Sequence, residues 1–142
     1  MSKGFNAEAT ILIGRVVSLA AATNQYGVIT AANATIVPAG ISGQNSKFAQ
    51  IQGYTANDTT HAENGDQCVV HRPGSIEANQ TVYGFLGGTV TKGAPLMSAA
   101  DGTGRLIAAT AGKWAVAFAD EGGVVDTMIP VTPAIFVYST VS

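Results

Sequence analysis

"VTKGAPLMSAADGTGRLIAAT", residues 90–110, sets two short apolar runs on either side of Asp101-Gly102-Thr103-Gly104. A phosphate cradle needs Gly-x-x-x-x-Gly-Lys-Ser/Thr between a strand and a helix, so that helix amides face the anion; this stretch has neither the spacing nor a helical period. A calcium loop needs several oxygen ligands at alternating positions, closed by a bidentate acid. Asp101 stands alone, with no glutamate in reach. What remains is a β-hairpin, with "APLMS" and "RLIAAT" as its strands. Asp101 and Gly102 are placed at the positive-φ positions of the turn and Gly104 at a bulge.

Outward from this hairpin the same pattern recurs. Apolar residues come in runs of a few residues with near-alternation, broken by Gly, Asn, Asp or Pro, and no stretch keeps a helical period for three turns. Strands are expected in "ILIGRVVSL", where Ile11, Ile13, Val17 and Leu19 share a face with Arg15 as the exception, and in "FAQIQGY" from Phe48 to Tyr54. Others are expected in "QCVVHR", "QTVYGFLGG", "KWAVAFA", "VVDTMIPV" and "AIFVYS". The spacing predicts an all-β fold, a small barrel or sandwich. In "KWAVAFA", period-two alternation predicts Trp114, Val116 and Phe118 facing the core, with Ala115, Ala117 and Ala119 on a face open to close approach. The polar start "MSKGFNAEAT" predicts an N-terminal arm over residues 1–10, anchored at most by Phe5, ahead of a single all-β domain over residues 11–142. "TANDTTHAEN", from Thr55 to Asn64, reads as a surface loop.

Composition narrows the function. Charged residues are 11% of the 142, against about 25% in ordinary domains. Ala, Thr, Ser, Asn and Gly must therefore cover much of the surface, which suits contact with other protein. The net charge of −2, with seven scattered Lys and Arg, argues against nucleic acid as a partner. No apolar run reaches the ~20 residues that span a bilayer, so no membrane partner is expected. "ILIGRVVSLAAA" is interrupted by Arg15 and preceded by Glu8, so no secretion signal is expected, and the sequons at Asn33, Asn57 and Asn79 carry no weight.

Candidate chemistry is sparse. Cys68, the single cysteine, alternates with valines as a buried small hydrophobe does, and no disulfide can form within the chain. His61 and His71, with Glu63 and Asp66 between them, match no metal-site spacing and read as unrelated surface histidines. Asp120 and Glu121 are adjacent, would point to opposite faces of a strand, and read as turn residues. No serine elbow or thiolate-stabilising helix start is present. No catalytic residue, cofactor site or metal site is predicted, and the protein is not expected to be an enzyme.

The order of "AENGDQCVVHRPGSIEA", "TVTKGAPLMSAADGTGRLIAAT" and "KWAVAFADEGGVVDTMIPV", with "QYGVITAANATIVPAGISGQ" before them, resembles the small capsid decoration, or cement, proteins of tailed bacteriophages. The likeness runs from about Ala9 to Val131. Ala117 stands where that family commonly has glycine, and Asp120 replaces an apolar residue before Glu121. The resemblance implies a small β-barrel or tulip-like fold, no catalysis and homotrimers. It also implies a protein made in the host cytoplasm and attached to the outer surface of an icosahedral virion shell, with the major capsid protein as partner. On that reading Phe5, Ile11 and Ile13 of an arm, and the small face of Ala115, Ala117 and Ala119, are the expected capsid or subunit contacts, and removal of Met1 to Ala9 should release the protein from the shell. A receptor- or glycan-binding module of a tail fibre or adhesin is the alternative; it requires Tyr26, Tyr54, Tyr83 and Tyr138 to meet in one patch.

Overall fold

A computed structural model of the chain describes residues 4–19, 27–43, 60–63, 67–73 and 81–139. The described residues are all-β. β1 (Gly4–Ala7), β3 (Val16–Leu19), β4 (Gly27–Thr30), β5 (Pro38–Ser42) and β7 (Gln67–His71) close a barrel in the order β1-β4-β3-β5-β7. β8 (Val82–Phe85), β9 (Pro95–Ser98), β10 (Leu106–Ala108), β11 (Trp114–Ala119) and β12 (Met128–Val137) form a second sheet in the order β10-β9-β11-β12-β8. β2 (Ile11–Leu12) and β6 (Thr60–Ala62) make a two-stranded ribbon.

Two apolar cores result. Phe5, Ala7, Ile11, Val17, Val28, Ala39, Ala62, Cys68 and Val70 fill the barrel. The larger core joins barrel to sheet: Val16, Ala31 and Ile41 pack with Leu86, Leu96, Leu106, Val116 and Ile129. Neighbouring residues Val16 and Val17 thus serve different cores, as the alternation of a strand dictates. On β5, Val17 pairs with Gly40 and Ser18 with Pro38, leaving Ala39 as an extra residue. This bulge lets Ala39 face the barrel while Ile41, two residues on, faces the sheet.

The Val90–Thr110 stretch is the expected hairpin, with Leu106, Ile107 and Ala108 opposite Ser98, Met97 and Leu96. Its turn differs in detail. Gly102 (φ 79°) and Gly104 (φ 71°) take the left-handed positions, whereas Asp101 does not; its Oδ1 instead accepts from the Thr103 N–H at 3.1 Å. "ILIGRVVSL" is broken at Gly14 (φ 66°) into β2 and β3, so its expected common face is lost and Leu19 is exposed. The two runs "VVDTMIPV" and "AIFVYS" contribute to one strand, β12. Its Pro133 lies beyond the reach of β8, where β12 has β11 on one side only and a missing donor is tolerated. Within the expected loop Thr55–Asn64, residues 60–62 are the strand β6, and Ala62 is fully buried. "FAQIQGY" lies outside the described residues.

The first residues correct the arm reading. Gly4–Ala7 is a barrel strand, parallel to β4 and antiparallel to β7, with Phe5 opposite Cys68 and Ala7 opposite Val28. Phe5 and Ala7 point inward and Asn6 outward. The segment looks polar because a strand this short needs only two apolar residues to fill its inner face. Truncation through Ala9 would therefore remove a barrel stave, and loss of binding by such a protein would not identify an arm.

Candidate interaction surface

The expected contact residues are mostly interior. Phe5, Ile11, Ala115, Ala117 and Ala119 are all buried within the chain, and Ile13 is half-buried. The five buried side chains are not available to a partner while the chain is folded, and Ile13 is only partly available. Val116 is in the core as expected, but beyond it the faces of β11 are inverted, and a bulge is the reason. Ala115 pairs with Met97 and Ala117 with Leu96, so Val116 is the extra residue on β11. Val116, Ala117 and Ala119 then all enter the core. Phe118, expected inside, is on the outer face at 38% exposure, with its ring stacked on Phe136 at 5.3 Å between centroids.

The titratable residues hold the structure together. Arg15, the exception on an apolar run, is buried with its guanidinium 4.4 Å above the Phe85 ring, and its Nη1 donates to the Thr103 carbonyl at 3.1 Å. Its backbone N–H donates to Ser42 Oγ, which donates in turn to the Leu12 carbonyl. Burial, and Arg105 nearby, lower its pKa. Arg105 bridges two carboxylates, Asp126 at 2.9 Å and Asp101 at 3.2 Å. Hydrogen bonds from Thr103, then from Arg105, hold the Asp101 carboxyl down at about 2. The cluster ties the β2–β3 turn, the β9–β10 hairpin and the turn before β12 into one knot.

Cys68 is buried as expected, and desolvation pushes its thiol up to about 12, so no thiolate forms at neutral pH. Among the described residues no group of three His, Cys, Asp or Glu could hold a metal. Asp120 is an exposed turn residue, as read, and accepts from Thr132 Oγ1 at 2.8 Å. The histidines depart from expectation. His71 is buried at the end of β7, with no hydrogen-bond partner for Nδ1 among the described residues, and His61 is close enough to perturb it. His61 Nε2 accepts the Val69 N–H at 3.0 Å.

His71 makes stability depend on pH. Desolvation first, then His61, lowers its folded pKa below the usual 6.5. The unfolded chain thus binds the proton more readily, so the contribution is present above about pH 6.5 and is lost as the pH falls toward the folded pKa. Denaturant titrations between pH 7.5 and pH 5 should show stability falling with acid, and His71→Gln should flatten that slope. An unchanged slope in the variant would contradict the assignment.

The surface offers apolar residues at the two ends of the β11–β12 hairpin. At one end Trp114 pairs with Val137 and its backbone N–H donates to the Ala34 carbonyl, tying down the loop that carries exposed Ile36 and Val37. At the other, the connection between the strands presents Val124 (56% exposed) and Val125 (48%). Ten residues of β12 separate the ends by about 30 Å. Neither site was visible in the sequence, because an apolar pair in a turn reads like the start of a strand. Among the described residues, Tyr83 and Tyr138 form no common patch, since Tyr83 sits opposite Pro130 and Tyr138 follows Val137 at the far end of β12; Tyr26 and Tyr54 lie outside the described residues.

Comparison with known proteins adds a family and a fold. Residues 2–138 match the family described as XM1 gp53 minor capsid protein. Among curated proteins none matches the chain. Of solved structures, the head fiber gp8.5 N base of bacteriophage phi29 superposes with a TM-score of 0.59 at 14% identity, over 94% of this chain and 93% of that one. At that identity the likeness is one of fold.

Proposed function

Because the chain belongs to the XM1 gp53 minor capsid protein family, and is thus a structural protein of the phage virion, we propose that it is a decoration protein. It binds the outer surface of the icosahedral shell and bridges neighbouring capsomers. The observation that supports this reading is the pair of exposed apolar ends on one rigid hairpin, carried by a body with few charges. A ligand that engages two subunits only at their correct spacing stabilises that spacing by mass action, and many copies multiply the effect. The protein works without catalysis or cofactor, and its partners are the major capsid protein and other copies of itself, with neither nucleic acid nor membrane. Trimers would form through the outer face of β11 and β12, where Phe118 stacks on Phe136, since Ala115, Ala117 and Ala119 are interior.

Heads lacking this chain should release their DNA at a lower temperature than complete heads, and added recombinant protein should restore the difference. Equal release temperatures with and without the protein would reject stabilisation. Light scattering of the same preparation should give the mass of a trimer, and a monomer both free and on heads would remove self-association from the reading.

A further inference from the structure

We propose that the Val124–Val125 turn is the anchor of this chain on the capsid, fitting an apolar hollow with a basic rim on the shell protein; the inference rests on the capsid-binding reading above. Single exposed apolar side chains are ordinary, but two adjacent valines at the tip of a connection each leave about half of their surface uncovered by this chain, at 56% and 48% exposure. Both are β-branched and stiff, so little side-chain freedom is lost when they are covered.

The turn that carries them is pre-formed. Gly123 and Val90 exchange backbone hydrogen bonds at 3.0 and 3.1 Å, Leu86 donates to the Thr127 carbonyl, and the Asp126 N–H donates back to Leu86 at 2.9 Å. Thr127 Oγ1 closes the tip by donating to the Val124 carbonyl at 2.7 Å. Asp126 has φ 64°, and no other described residue except glycine has a positive φ. Asp is one of the few side chains that adopt this left-handed backbone readily, and Arg105 at 2.9 Å adds a tether to it. A turn with five hydrogen bonds behind its apolar tip is built to hold one shape.

Charge selects the occupant. Around the tip stand exposed Asp120, Glu121 and Asp126, against Lys92 on the neighbouring loop and the Arg105 guanidinium bound to Asp126. The acidic excess favours a partner with basic groups around its hollow. It disfavours a second copy docking tip to tip, because like-charged rims would meet.

Full-length wild type, Val124→Ser/Val125→Ser and Glu121→Lys would be titrated onto purified heads lacking the chain, with bound protein quantified. The doubly substituted protein should bind at least about tenfold more weakly, with melting temperature and mass unchanged, since both side chains are exposed. Glu121→Lys should also bind more weakly, and added salt should weaken the wild type. Double-variant binding equal to wild type would overturn the anchor alone, as would a change in its oligomeric mass that points to a contact between copies. Undiminished binding by Glu121→Lys would overturn the basic-rimmed partner. Failure of the wild type to bind would overturn the capsid-binding reading and the anchor with it.

Discussion

Phe5→Ala is expected to destabilise the protein by about 3–5 kcal/mol, the usual loss when a buried phenylalanine is truncated and its cavity does not fully collapse. The size of this effect separates two pictures of the N-terminus. A phenylalanine on a free arm would change stability by less than about 0.5 kcal/mol. Phe5 instead lies in the barrel core with Ala7, Val28 and Cys68, on a strand whose two ladders close the barrel. Leu19→Ala is the matched control, since Leu19 lies on a barrel strand but is 58% exposed and should cost little. Urea titrations of the three proteins measure the difference, and equal midpoints for Phe5→Ala and wild type would return residues 4–7 to the status of an arm.

Gly104→Ala should cost about 3 kcal/mol, far more than the same change two residues earlier. Both glycines have positive φ, so alanine pays a left-handed backbone cost of about 1 kcal/mol at either position. Around Gly102 nothing lies within 4 Å of an added Cβ. At Gly104 that atom would sit 2.6 Å from Thr30 Cγ2 and 2.9 Å from the Val16 carbonyl oxygen. The backbone there cannot retreat without losing the 2.8 Å hydrogen bond from the Val16 N–H to the Gly104 carbonyl, which fastens the hairpin to the barrel. The added overpacking accounts for the rest. Thermal unfolding of Gly102→Ala and Gly104→Ala reads the contrast, and equal losses would mean that the hairpin and barrel are not in close contact at this point.

These two positions show what a linear reading could and could not reach. Gly104 was legible as a turn residue because Asp-Gly-Thr-Gly between apolar runs leaves few other options. That its missing side chain is also required by β3, far away in the chain, depends on tertiary contact and leaves no local mark. Phe5 was misread for a related reason: an inward pair in a four-residue strand is too short to show a period. In "KWAVAFA" the alternation is visible and holds for Val116, which is in the core as expected, but the bulge there exchanges the faces of the residues beyond it, turning Ala117 and Ala119 inward and Phe118 outward. Arg15 was visible as an anomaly, but its use at the centre of a knot with Thr103 and Phe85 required the fold. The exposed valines at 124 and 125 were hidden in the opposite sense, since they have the composition of a strand and the position of a turn.

The hairpin ends, the charged knot and the closed barrel together describe a cross-braced body with exposed apolar side chains at both ends of one hairpin. On the proposed function such a body sits on the outside of the shell, in contact with neighbouring subunits. The most direct measurement is the mass and outside accessibility of this polypeptide on purified mature virions, by quantitative mass spectrometry after surface labelling of intact particles. The account predicts labelled protein in copy number comparable to that of the shell subunits; absence from the virion, or presence only in unlabelled, internal form, would contradict it.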